Sequence, residues 1–306
     1  MRNPVASAPC SFGVDEVMED DAWMPGPEEV LTWMTELGYE GTELGPPGYL
    51  GHGAEVRERL ERRGLALVGS FLPQHLSRAD LAPADRDWLR ATLSDLRLAT
   101  PAGSQPFAVL CEGIDEPLRL AYTGRIHEVP EARIDGDCWD TLVDTLHRAA
   151  ELCREEGFEP VFHPHAGTYI ETADEIDRLM GRLDASLVGL CLDTGHFRYG
   201  GADPAQCVRD YAAILRHVHL KDCRASVLAG VVARGADLPA ALREGVFCRL
   251  GSGDADIPRT VQALRDVGYG GWLVVEQDQC LTASDTPQSL VAGQRANREY
   301  LVRLGL

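Results

Sequence analysis

Residues 159–196 read EPVFHPHAGTYIETADEIDRLMGRLDASLVGLCLDTGH, and their pattern decides the fold. Each end carries a short apolar run, Pro160-Val161-Phe162 and Val188-Gly189-Leu190-Cys191-Leu192, of the length of a buried strand. Between them Ile176, Leu179, Met180 and Leu183 fall at positions i, i+3, i+4 and i+7, one buried stripe of a helix. Thr172 can cap that helix while Glu175 reaches back from three residues on, so the helix is predicted to begin just after Glu171. Strand, helix and strand make one unit of a parallel α/β fold.

The same alternation runs outward in both directions. Eight strands are predicted: Cys10 to Val14, Gly41 to Gly45, Leu65 to Pro73, Phe107 to Gly113, Glu159 to His165, Leu187 to Thr194, Ile214 to Asp222 and Trp272 to Asp278. Helical stripes separate them, as in Val30, Trp33, Met34 and Leu37, or Leu142, Leu146, Ala149 and Cys153. Glycines follow helices at Leu37-Gly38-Tyr39 and Glu156-Gly157-Phe158, where a left-handed turn releases the chain toward the next strand. No Pro/Ser-rich linker interrupts the series, and the longest irregular insertion runs from Cys223 to Ile257. Eight unbroken units predict a single (β/α)8 TIM barrel, an α/β fold occupying 1–306 as one domain. An open doubly wound sheet is the alternative, weakened by the missing GxGxxG after the first strand.

Charge and composition bound the function. Against 29 Lys+Arg stand 48 Asp+Glu, a net charge of −19 that repels a polyanion and argues against nucleic-acid binding. The strongly apolar stretches, such as Leu228 to Ala233, fall far short of the roughly 18 to 20 residues that span a bilayer. Arg2 is followed by no apolar segment of a secretion signal, and nine cysteines without a CxxC pair read as free thiols. A cytoplasmic location is expected. Trp23, Trp33 and Trp139 are expected in core or lid packing.

The ends of the last four barrel strands carry polar chemistry where a buried parallel strand would carry none. They read Phe162-His163-Pro164-His165, Cys191-Leu192-Asp193-Thr194-Gly195-His196, His217-Val218-His219-Leu220-Lys221-Asp222 and Val274-Val275-Glu276-Gln277-Asp278. In a barrel these ends surround one mouth. Residues two apart face the same side, which pairs His163 with His165, His217 with His219, and Glu276 with Asp278. Imidazoles and carboxylates converging on one point suit Mn²⁺, Co²⁺, Fe²⁺ or Zn²⁺, and Mg²⁺ less readily. A lone His at a strand end is more often a hydrogen-bonded structural residue, but four consecutive strands with the same feature point to a metal site.

At these residues the chain resembles a known family. The runs FHPHAGTYIET, LDTGHFRYGGADP, HVHLKD, LGSGDADI and GWLVVEQDQ, with GYEGTELGPPGYL at residues 38–50, resemble the inosose dehydratase branch of the sugar isomerase/epimerase superfamily of xylose-isomerase-like TIM barrels. The resemblance implies one divalent metal ion, Mn²⁺ or Co²⁺ foremost, held by one residue from each of strands five to eight. Asp193, His219 and Glu276 match three ligands of the family. For the fourth, where many relatives have glutamate, the choice lies among His163, His165 and Glu171; His163 occupies the strand position that the family uses.

His165, His196 and Lys221 are expected to face substrate, His165 and Lys221 with Glu276 as the catalytic groups, while Glu43 is expected at a substrate hydroxyl. For Lys221 the structural alternative is a salt bridge to Asp222 or a rim carboxylate; for Glu43 it is a carboxylate buried beneath the pocket. The implied activity is dehydration, isomerisation or epimerisation of a small polyhydroxylated keto compound, a sugar or cyclitol, through loss of an α-proton. The alternatives are an AP-endonuclease-like metal nuclease and a non-catalytic sugar-binding protein with a relict site. A homo-oligomer is left open.

Overall fold

A computed structural model of the chain describes residues 2–14, 23–80 and 82–306. The barrel strands are β1 (Val5–Ser7), β2 (Gly41–Glu43), β3 (Ala66–Gln74), β4 (Phe107–Glu112), β5 (Glu159–Phe162), β6 (Gly189–Asp193) and β7 (Leu215–Leu220). A small pair, β8 (Asp222–Cys223) and β9 (Phe247–Cys248), precedes the last barrel strand, β10 (Leu273–Val275). The eight barrel strands close in the order β1-β10-β7-β6-β5-β4-β3-β2, and every neighbouring pair is parallel. Parallel strands joined by helices can close only with apolar residues on both faces. Val109, Val161 and Cys191 fill the inside, and Leu67, Leu72, Leu110, Phe162 and Leu192 pack outward against the helices.

Two expectations are corrected. The first strand is Val5–Ser7, and Pro9–Phe12, which overlaps the start of the expected Cys10–Val14 strand, forms a single 3₁₀ turn. Proline at the turn's start lacks the amide proton that a ladder needs. The insertion after β7 is not irregular: it holds helices Ala225–Arg234 and Leu238–Arg243 and the antiparallel β8/β9 pair. Its own apolar cluster, with Val231, Leu238, Ala241 and Phe247, explains why it orders.

The helix after β5 begins at Ala173 as predicted, with Glu175 accepting from the Thr172 amide at 3.0 Å, and ends at Met180, before the Leu183 of the expected stripe. The Thr172 hydroxyl turns to Asp174 at 2.7 Å. Glu175 also takes both ends of the fully buried Arg119 guanidinium, at 2.8 and 2.9 Å, tying the loops after β4 and β5 together beside the mouth. Trp139 is core, whereas Trp23 is exposed. No helix among the described residues is long and apolar enough to cross a membrane.

Candidate active site and metal centre

The helix Thr194–Tyr199 starts directly at the end of β6 with Asp193 as its cap. Asp193 Oδ1 accepts from the amides of Gly195 and His196 at 2.7 and 2.9 Å, which pins the carboxylate and leaves Oδ2 turned into the mouth. Gly195 is required by close approach: a Cβ there would lie 2.6 Å from the Lys221 side chain. His163 and Glu276 each stand one residue beyond their strand and extend its ladder, through amide bonds to Leu110 and Leu220. His219 lies inside β7, opposite Asp193 in register.

These four residues converge. His163 Nε2 is 3.6 Å from Asp193 Oδ2, and His219 Nδ1 is 3.7 Å from Asp193 Oδ2 and 3.2 Å from Glu276 Oε2. Four donors about 2.1 Å from one ion at tetrahedral angles stand about 3.4 Å apart, so the spacing fits a first-row divalent ion. A second observation agrees. Among the described residues, two atoms of the donor set itself, Asp193 Oδ2 and His219 Nδ1, are buried without a hydrogen-bond partner. Buried polar atoms are normally paired, and an unpaired carboxylate oxygen facing an unpaired imidazole nitrogen suits a cation.

Glu171 does not join this set. It is buried in its loop, accepting from the Thr123 hydroxyl at 3.0 Å and from the amides of Gly124 and Gly167 at 2.8 and 2.6 Å. Its carboxylate shapes the loop after β5. His165 stands beside the donors and keeps access to solvent. Its Nδ1 is 2.7 Å from the Ala166 carbonyl, so Nδ1–H donates there and Nε2 carries the lone pair. Desolvation within the mouth, with His163 and Lys221 adding to it, holds this ring below the ordinary imidazole value.

His196 is enclosed. Its Nδ1 accepts from the Ala166 amide at 3.1 Å, its ring centre lies 3.8 Å from that of His165 at a 36° tilt, and Phe247 packs against it edge-on at 4.7 Å. Lys221 lies 3.4 Å from Asp193, 3.1 Å from Glu276 and 3.0 Å from Asp278, with its ammonium 5.0 Å from the Phe247 ring. Burial opposes the charge, but Asp193, Asp278 and Glu276 outweigh it and hold the ammonium well above the ordinary lysine value. The partner is therefore the rim residue Asp278 and not Asp222. Glu43 lies inside the barrel beneath the donors, with Oε1 2.7 Å from His217 Nε2 and 3.0 Å from His219 Nε2.

Asp222 and Phe247 were not singled out as functional in the sequence. The Asp222 carboxylate accepts from the amides of Gly251, Gly253 and Ala255, which folds the LGSGDADI run around it. A Cβ at Gly253 would lie 2.5 Å from Asp222 Oδ1, so that glycine lets the loop close. Phe247 lies in β9, far from any polar motif, and only the folded insertion brings it over His196 and Lys221.

At the end of β4, Glu112 is buried against the Ser77 hydroxyl and amide. Burial pushes its carboxyl up to about 7 from 4.5. The native state therefore keeps a proton that the unfolded chain has already released, and this stabilising contribution is complete below the unfolded value and lost as pH rises through about 7. Over that window the effect is on the order of 3 kcal/mol. Glu112→Gln should remove this slope, so that the variant gains in melting temperature relative to the native sequence as pH rises from about 5 to about 8. A difference that stays constant across the titration contradicts the assignment.

The fold and the four-donor mouth define a class before any relative is considered, that of parallel α/β barrels with a cluster of polar donors at the C-terminal rim that could hold a metal ion. The chain belongs to the xylose isomerase-like TIM barrel family, whose model matches residues 31–299. It is an enzyme of the dehydratase and isomerase/epimerase type. It is 41% identical to the inosose dehydratase of Geobacillus thermodenitrificans over 258 residues, covering 82% of each chain. To the inosose dehydratase of Geobacillus kaustophilus it is 36% identical, covering 82% of this chain and 80% of that one. The solved structure of the IolI protein with a bound zinc atom superposes with a TM-score of 0.71 at 14% identity, covering 98% and 97% of the two chains, a likeness of fold.

Proposed function

We propose that this protein is a metal-dependent dehydratase acting on an inosose-type cyclic polyhydroxy ketone. The observation that carries the reading is the convergence of His163, Asp193, His219 and Glu276 on one point of the mouth, with His165 and Lys221 beside them. Similarity to two inosose dehydratases over four-fifths of the chain supports the substrate class. His163, Asp193, His219 and Glu276 would hold the ion. When bound, a divalent ion there supplies Lewis acidity that polarises a substrate carbonyl and acidifies the adjacent C–H.

The remaining chemistry belongs to the side chains. His165 Nε2 takes the α-proton, since it is the nitrogen left with a lone pair while Nδ1 is tied to the backbone. Electrons of that C–H bond form the double bond to the carbonyl carbon, and the β C–O bond then breaks as the carbonyl re-forms. Lys221 gives a proton to the departing hydroxyl, which leaves as water. Asp278 orients the ammonium, and Phe247 shields its far side from solvent. The net change is loss of one water with no oxidant or reductant.

The test is turnover of a keto-inositol by protein loaded with Mn²⁺, Co²⁺ or Zn²⁺, followed by product mass. Dehydration lowers the mass by one water; an unchanged mass with altered stereochemistry or carbonyl position reassigns the chain to epimerisation or isomerisation. No conversion of any keto-inositol or ketose would return it to the sugar-binding alternative.

A further inference from the structure

Glu43 is a buried carboxylate set between two imidazoles. It ends β2, is buried beneath the mouth, and has no arginine or lysine beside it in its hydrogen-bond network. Its neighbour in the barrel is Gly69, where a Cβ would stand 2.6 Å from Glu43 Oε1. Any larger residue at 69 would push the carboxylate away from the two histidines. Oε1 meets His219 Nε2 at 3.0 Å and His217 Nε2 at 2.7 Å, and an ionised carboxylate can only accept. Both Nε2 atoms therefore carry protons directed at Glu43.

The consequence falls on the opposite nitrogen of His219. With Nε2 protonated, a neutral His219 presents its lone pair at Nδ1, the atom that faces Asp193 Oδ2 at 3.7 Å and Glu276 Oε2 at 3.2 Å and has no hydrogen-bond partner. His217 presses from the other side: its ring packs 4.7 Å from Phe107 and 5.0 Å from His219, so the bracing imidazole is itself wedged. We infer that Glu43 is a positioning residue, which with His217 as its brace commits His219 to the tautomer and ring orientation in which Nδ1 is the metal donor. A carboxylate behind a metal-binding imidazole raises its basicity and fixes its ring, and removing one commonly costs 10–100-fold in metal affinity. The inference rests on the metal-centre reading above and extends it to a residue that touches neither ion nor substrate.

The experiment measures the affinity of the purified protein for Zn²⁺ alone, by competition with a chromophoric chelator, in the native sequence, Glu43→Gln and Glu43→Leu. Gln keeps the shape and a neutral acceptor, while Leu keeps approximate volume and removes the acceptor. Affinity is expected to fall in that order, by about 10-fold for Gln and about 100-fold for Leu. Metal-free melting curves report folding separately. A purely structural role would lower the metal-free melting temperature and leave zinc affinity in place. Histidine-ring ¹⁵N–¹H spectra of the zinc-loaded protein, with His219 assigned by its loss in His219→Gln, should show an Nε2–H ring in the native sequence and loss of that single form in Glu43→Leu. If Leu does not fold, the Gln variant decides. Zinc affinity unchanged within about twofold in a folded variant overturns the role of Glu43 while leaving the metal centre intact; absence of zinc binding by the native sequence overturns the metal centre itself.

Discussion

Asp193→Asn and Glu276→Gln are each expected to lose the bound divalent ion and, with it, more than about 100-fold in turnover while the barrel stays folded. Each exchange removes one negative charge at nearly constant volume, so no cavity is made. In Asp193→Asn the amide oxygen can still accept from Gly195 and His196, which preserves the helix cap, while the other position now presents an NH₂ group to the ion. His163→Ala should also lose the ion. Glu171→Ala should retain it, because Glu171 is engaged by Thr123, Gly124 and Gly167 and contributes to the loop alone. Elemental analysis after mild dialysis, with one ion per native chain, checks all four. Retention in His163→Ala with loss in Glu171→Ala would move the fourth ligand to the loop.

Lys221→Met should show the second large effect, a loss of about 10²- to 10⁴-fold in turnover, the range of a positioned acid or base. Met covers the apolar stem of Lys221 and removes only the ammonium that lies over the Phe247 ring, so most of the packing survives. Metal binding should not weaken, and this is the discriminating feature. The ammonium stands 3.4 Å from Asp193 and 3.1 Å from Glu276, where its charge opposes a divalent ion; removing it takes away a competitor. A fall in turnover with metal occupancy maintained supports the acid role. Full turnover in a metal-loaded Lys221→Met would reduce Lys221 to a salt bridge with Asp278.

What was readable in the sequence follows from range. The barrel and the strand-end residues obey local rules: apolar runs of strand length, helical stripes between them, and polar side chains two apart at strand ends. β1 escaped because Val5–Ser7 is three residues long and owes its place to pairing with β2 and β10 on either side. Glu43 was visible as a strand-end carboxylate, yet its partners lie 174 and 176 residues away, and only barrel closure brings β2 and β7 side chains together across the interior. Lys221 and Asp222 are adjacent in sequence, but neighbours on a strand point to opposite faces. Lys221 therefore turns into the mouth toward Asp278, while Asp222 turns out to gather the glycine loop.

The central claim, that a metal centre and His165 together remove the proton beside a substrate carbonyl, is tested most directly by turnover of a keto-inositol in deuterium oxide. Substrate deuterated at that carbon should be run in parallel for a primary isotope effect. Deuterium is expected at the carbon adjacent to the carbonyl in recovered substrate or product, or a primary isotope effect where the proton is shielded from solvent, both lost after chelation of the metal. Turnover with neither signal would contradict proton abstraction and leave a hydrolytic use of the same metal centre as the better description.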